Sequence, residues 1–86
     1  MKAKFIKDLN GFTGTAKLWE LNPPFKKRIK FVVTSATLVP FSGPETYVFQ
    51  SDENGEVKKW TELSGSYRGG LDHGIAIRGL GYEAAV

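Results

Sequence analysis

Apolar and polar residues alternate along much of the chain, and this period of two predicts β-strands. The strongest candidate is Ile29–Val39, where β-branched residues dominate and both faces carry apolar side chains. A strand that is apolar on both faces is typical of a sheet interior, so we place it at the centre. Four further strands are predicted over residues 2–7, 15–21, 45–50 and 56–63.

Turn-forming residues separate these strands. Pro23 and Pro24 end the second predicted strand, because proline lacks the backbone N–H that a sheet ladder needs, and Pro40 ends the third. Asn54-Gly55 predicts a type I′ hairpin turn, since both residues tolerate the positive φ angles of that turn.

The pattern changes after residue 63. Spacing of Leu71, Ile75 and Leu80 predicts a short helix over residues 71–80, with Asp72 as its N-cap or as an acid of the first turn. Gly79 or Gly81 is expected to end this helix in the left-handed conformation. A final short strand is predicted over residues 82–86.

These elements predict a single domain over residues 1–86, a size that suits one small domain. The expected fold class is α+β. It comprises a small antiparallel β-sheet of about five strands with one short C-terminal helix packed on it.

The composition excludes several kinds of chemistry. Without cysteine the chain has no disulfide, thiolate zinc site or cysteine nucleophile, and its single histidine rules out a two-histidine metal site within one chain. The apolar runs are too short to span a membrane, and no apolar stretch follows the N-terminal lysines as it would in a secretory signal. We therefore expect a cytoplasmic protein without a cofactor and without membrane contact.

Charge is distributed unevenly along the chain. Residues 1–30 hold eight Lys/Arg and two acids, a net charge of +6, whereas residues 31–86 carry a net charge of −3. Such asymmetry can steer an anionic partner or a second copy of the chain. The alternative explanation is that these charges only keep strand faces and turns solvated.

The glycine-rich stretch before the predicted helix is the first candidate site. Its backbone N–H groups and the helix start suit a phosphate or carboxylate. Arg68 would pair with a phosphate, Tyr67 or Trp60 would stack on a base, and His73 would orient the ligand. The residues of this site are Trp60, Tyr67, Arg68, Gly69, Gly70, Asp72 and His73. Alternatively, the glycines only let the chain turn, and Tyr67 packs in the core.

A second candidate site is the loop before the fourth strand. Ser42 and Gly43 could donate hydrogen bonds there, and Glu45 could accept one from a ribose hydroxyl. The alternative explanation is a rigid connection between two strands.

Two further functions fit the residues less well. Catalysis is disfavoured, because Asp72 and His73 are sequence neighbours that point apart on a helix, and no serine lies in a nucleophile-elbow pattern. Nucleic-acid binding would use the basic residues Lys26, Lys27, Arg28 and Lys30 beside Phe25 and Phe31. Lysines on an edge strand also discourage sheet-to-sheet aggregation, which is the competing explanation.

Several stretches make the chain similar to small uncharacterised proteins encoded in tailed-phage genomes. They are residues 41–49 (FSGPETYVF), 54–57 (NGEV), 60, 62–63, 65–73 (GSYRGGLDH) and 81–83 (GYE), and more loosely 10–16. The resemblance implies a non-enzymatic protein that acts in the host cytoplasm, against host defences. It transfers no catalytic residues.

The leading hypothesis from the sequence is a small, self-associating phage-type binding protein that sequesters an anionic, nucleotide-derived ligand. Self-association would cover apolar surface and bring the basic third of one copy to the acidic part of another. One alternative is an inhibitor that binds a host enzyme through a sheet edge and exposed aromatic residues. The other is a nucleic-acid-binding accessory protein.

Overall fold

The computed structural model describes residues 1–85, which form one sheet of seven strands and one helix. The sequence therefore predicts the class correctly and undercounts the strands. The elements are β1 (Lys2–Leu9), β2 (Thr15–Phe25), β3 (Ile29–Val39), β4 (Gly43–Ser51), β5 (Val57–Lys59), β6 (Tyr67–Arg68), α1 (His73–Leu80) and β7 (Glu83–Ala85).

The strands follow the spatial order β5-β4-β3-β2-β1-β7, and β6 also pairs with β4. All pairings are antiparallel except β1–β7, which is parallel. β3 lies between β2 and β4, as its two apolar faces predict. Within the described chain, β6 was not expected at all, and β7 is the final strand predicted for residues 82–86, of which Val86 lies outside the described residues.

Both faces of the sheet are covered, which explains why the central strand is apolar on both sides. On one face, which we call the helix face, α1 packs Ala76, Ile77 and Leu80 against a cluster that includes Trp19 and Val32. On the opposite face a smaller cluster of Ala16, Leu18 and Val33 lies under side chains from neighbouring loops and strands. The residues that cover it are Leu9, Phe12, Phe31 and Val57.

Helix α1 begins two residues later than predicted, and both of its ends are capped. The Asp72 carboxylate accepts a hydrogen bond from the Ile75 N–H at 3.1 Å, which makes Asp72 the N-cap. Gly81 ends the helix at φ +105°, and its N–H donates to the Arg78 carbonyl at 3.0 Å. Of Gly79 and Gly81, the two residues predicted to end the helix, Gly81 does so.

Two turn predictions were wrong, the second of them only in the type of turn. β2 continues through Pro23 and Pro24 to Phe25, because its pairing with β3 is irregular between Glu20 and Phe25 and needs no N–H from the prolines. Asn54-Gly55 lies in a hairpin turn between β4 and β5, as predicted, but the turn is not type I′: Gly55 has φ +87°, whereas Asn54 has no positive φ. Instead the Asp52 carboxylate accepts the N–H groups of Asn54 and Glu56 and organises a longer turn.

The segment predicted as a strand over residues 56–63 is a strand only at Val57–Lys59. The chain then crosses along the outer edge of β4, where the Leu63 N–H donates to the Val48 carbonyl at 2.8 Å and the Ser66 hydroxyl accepts the Val48 N–H at 2.9 Å. Gly65 lies so close to α1 that a Cβ atom there would stand 2.3 Å from the Ala76 carbonyl oxygen. This close approach brings the glycine-rich stretch back to the helix face.

Candidate functional site

The glycine-rich stretch is part of the sheet. Tyr67 and Arg68 form β6 and pair with Thr46 and Glu45 of β4. The Gly69 N–H donates to the Pro44 carbonyl at 2.7 Å, and the Gly70 carbonyl accepts the Thr46 hydroxyl at 2.8 Å. These backbone groups are therefore used inside the protein.

Arg68 and Glu45 face each other. The Arg68 Nε atom lies 3.3 Å from Glu45 Oε2, while the second carboxylate oxygen accepts the Tyr47 hydroxyl. Glu45 is only 2% exposed, so its charge requires these partners. Arg68 and Glu45 were each predicted to contact an external ligand, and they contact each other instead.

The sheet separates the remaining predicted site residues. Trp60 packs edge-to-face on Phe49 at a centroid distance of 5.2 Å, on the face opposite α1. Tyr67 is half-buried against the helix-face core, with its hydroxyl 3.3 Å from the Asp72 carbonyl. Asp72 and His73 line a common hollow.

The second candidate site lies in the β3–β4 turn. Ser42 donates its N–H to the Val39 carbonyl there at 3.1 Å, and Gly43 begins β4 at φ +85°.

His73 joins α1 to the sheet through a chain of hydrogen bonds. The Trp19 indole N–H donates to the Thr34 hydroxyl at 2.9 Å, Thr34 Oγ1 lies 2.6 Å from His73 Nδ1, and His73 Nε2 lies 2.9 Å from Thr15 Oγ1. Every donor finds an acceptor if Thr34 donates to Nδ1 and the Nε2–H donates to Thr15. The opposite tautomer would leave the hydroxyl hydrogen of the fully buried Thr34 without an acceptor. This arrangement holds a neutral imidazole.

The surroundings of His73 reinforce the neutral form. Burial lowers the pKa of His73, and the positive charge of Lys17 lowers this pKa further. The negative charges of Asp72 and Asp8 and a hydrogen bond to the Thr34 backbone raise this pKa without reversing the shift. His73 is therefore a structural hydrogen-bonding residue, with both ring nitrogens in use.

A cluster of cations lies at the end of the sheet where β2 turns into β3. The β2–β3 turn carries Lys26, Lys27 and Arg28, and strand pairing places other basic residues at the same end: Lys2 pairs with Asn22, and Lys59 with Gln50. We call this cluster the basic end, and it comprises eight residues: Lys2, Lys4, Lys26, Lys27, Arg28, Lys30, Lys58 and Lys59. All eight side chains are exposed.

Three hollows at the basic end are lined by its side chains. The largest, of about 630 Å³, contains Lys2, Lys4 and Lys30. Two smaller ones of about 300 and 190 Å³ share the lining residues Arg28, Ile29 and Gln50. The acids that line these hollows are Glu20, 3.6 Å from Lys30, and Asp52 and Glu53 at the β4–β5 turn. Seven cations and these three acids line the hollows, which gives this end a positive field.

Sequence reasoning found only half of this surface. The run of residues 26–30 is visible as a basic stretch beside two aromatic residues. Lys58 and Lys59 were missed because only the β4–β5 pairing brings them to the end of the sheet at which the β2–β3 turn lies. Lysine at consecutive positions after a hairpin turn is the one sequence signal that could have suggested them.

The comparisons with known proteins add no relationship: no family model matches this chain, and no curated protein or solved structure is significantly similar to it. Within residues 1–85, no group of three or more His, Cys, Asp or Glu side chains is arranged to hold a metal ion. The single helix of this part of the chain is too short to cross a membrane.

Proposed function

We propose that this protein is a non-enzymatic nucleic-acid-binding protein that holds phosphate groups at its basic end. The observation that carries the proposal is the convergence of eight exposed cations, from the three strands β1, β3 and β5 and from the β2–β3 turn, on one end of the sheet. Exposed Lys and Arg side chains at several neighbouring points can each contact a different phosphate of a nucleic-acid backbone, whereas a single small anion would contact only a few of them.

The aromatic residues of the basic end favour contacts to phosphates over contacts to bases. Lys26 Nζ lies 5.5 Å from the ring centroid of Phe25, and Lys30 Nζ lies 5.8 Å from that of Phe31. Both rings are half-buried and already covered by these lysines, which leaves them poorly placed to stack on bases. Binding should therefore be sequence-independent, salt-sensitive and of modest affinity, with a Kd of about 10⁻⁴ to 10⁻⁶ M at physiological salt.

The nucleotide-derived ligand expected from the glycine-rich stretch has less support, because Arg68 is paired with Glu45 and the Gly69 N–H is bonded to Pro44. The proposed anionic ligand is accordingly a polymer. Inhibition of a host protein and self-association, which the resemblance to phage proteins suggests, remain predictions.

The test is fluorescence anisotropy of labelled duplex DNA over a series of salt concentrations. Arg28→Gln removes one guanidinium from the basic end, and Arg78→Gln removes one from the exposed surface of α1, as a matched control. We expect Arg28→Gln to lower the slope of log K against log salt by about 0.9, with Arg78→Gln close to the parent. Absence of binding at low salt, or equal losses in the two variants, would refute the proposal.

A further inference from the structure

A pocket of about 370 Å³ lies between the N-terminal turn of α1 and strands β1, β2 and β7. It shares no lining residue with the three hollows of the basic end. Apolar walls come from Phe5, Trp19, Leu71 and Ala84. The volume lies at the lower end of the range for small-molecule sites and suits a single ring with a short substituent.

The walls of this pocket are held in place. Trp19 is fixed by its hydrogen bond to Thr34, and Phe5 packs edge-to-face on Trp19 at 5.7 Å with an interplanar angle of 68°. His73, on the opposite side, is fixed by Thr34 and Thr15. Because these side chains are already ordered, a ligand would lose little affinity to ordering them.

The polar groups that line the pocket differ in availability. Both nitrogens of His73 are bonded, and Asp72 Oδ1 accepts the Ile75 N–H. Lys17 Nζ lies 2.7 Å from Asp8 Oδ1, in a pair whose side chains are 32% and 73% exposed. An ion pair this exposed is weak, so a ligand anion can compete with Asp8 for the ammonium group.

We propose that this pocket binds a small aromatic acid: one planar ring against Trp19, Leu71 and Ala84, with its anionic group at Lys17 Nζ, which lies 5.0 Å from the Phe5 ring centroid and already covers that ring. Aromatic edges and faces supply a favourable surface for the ring, and Lys17 supplies the one cation among the lining residues. This site is independent of the proposed nucleic-acid surface.

The test uses benzoate as the probe and benzyl alcohol as its uncharged counterpart. Trp19 fluorescence is followed in a Trp60→Phe background, so that Trp19 is the sole indole, and backbone amide shifts are mapped by NMR. We expect saturable benzoate binding with a Kd below about 10 mM, shifts concentrated at the lining residues, and several-fold weaker binding of benzyl alcohol.

Matched variants locate the site. Leu71→Ala removes an exposed wall residue and should weaken benzoate binding several-fold, whereas Ile75→Ala, one turn further along and outside the pocket, should not. Lys17→Met should remove the preference for benzoate over benzyl alcohol. The proposal is overturned if benzoate gives no saturable response, if both probes bind equally to the parent protein, or if Leu71→Ala binds like Ile75→Ala.

Discussion

The guanidinium of Arg68 lies 3.3 Å from the buried carboxylate of Glu45, and the two residues are also direct neighbours in the β4–β6 pairing. The glycine-rich stretch resembles an anion-binding loop in sequence. Its arginine, Arg68, instead neutralises the buried carboxylate of Glu45. Glu45 lies on the same side of β4 as Tyr47, and the Tyr47 hydroxyl donates a hydrogen bond to the Glu45 carboxylate.

Removal of the Arg68 charge should destabilise the fold. Arg68→Met leaves Glu45 without its cation, and a cost of about 1 to 2 kcal/mol is expected, less than for a fully buried pair because the Arg68 side chain is 70% exposed. Urea denaturation gives the free energy of unfolding. Adding Glu45→Gln should recover part of the loss, whereas the control Arg78→Met should change stability little; a double variant no more stable than Arg68→Met would contradict this reading.

Stability should fall as the pH drops below about 6.5, and His73 is the reason. Its pKa is lower in the folded protein than in the unfolded chain, so the unfolded state binds the proton first on acidification. The contribution is complete above the unfolded pKa of about 6.5 and is lost progressively as the pH falls toward the folded pKa. Urea denaturation between about pH 7.5 and about pH 5.5 measures it.

His73→Gln is the control for this pH dependence. Since His73 is the single histidine of the chain, this variant should be less stable near neutral pH and should lose most of the change between these two pH values. A slope equal to that of the parent would assign the effect to the carboxylates instead.

The sequence correctly predicted the features that depend on residues close together in the chain. Asp72 and Gly81 cap α1 as their positions indicated, and the β-branched run of residues 29–39 is an interior strand. β6 was missed because Tyr67 and Arg68 become a strand only by pairing with Thr46 and Glu45, more than twenty residues earlier. The grouping of candidate site residues failed for the same reason, since no local pattern shows which side of the sheet each side chain takes.

Gly65 and Gly69 should differ sharply in their tolerance of alanine. Both have positive φ, +95° and +105°, so each alanine carries a backbone cost of about 1 to 2 kcal/mol. A Cβ at Gly65 would also stand 2.3 Å from the Ala76 carbonyl oxygen, whereas nothing lies within 4 Å of one at Gly69. Gly65→Ala should therefore cost at least about 1 kcal/mol more than Gly69→Ala in urea denaturation. Equal costs would mean that α1 readily moves away from this segment.

Helix α1 offers a second matched pair. Ile77 is completely buried against the sheet, whereas Ile75 is 44% exposed. Ile77→Ala should lower the free energy of unfolding by about 2 to 5 kcal/mol, and Ile75→Ala by roughly 1 kcal/mol or less. Thermal or urea unfolding of the two variants checks this difference, and similar losses would argue that α1 is not packed through its Ala76–Ile77 side.

Replacing Lys26 and Lys27 in the β2–β3 turn should increase the stability of the fold and weaken DNA binding. Both residues have positive φ, 53° and 63°, and the Arg28 N–H donates to the Phe25 carbonyl at 3.2 Å, which makes a type I′ turn. Lysine is strained there, and Asn-Gly is preferred. Replacing both residues, as Lys26→Asn with Lys27→Gly, should raise the free energy of unfolding by about 1 kcal/mol and remove up to two phosphate contacts, lowering the DNA salt slope by as much as about 1.8. Urea denaturation and anisotropy on the same sample report both quantities. A more stable variant with unchanged DNA binding would show that the strained lysines do not contact the phosphates.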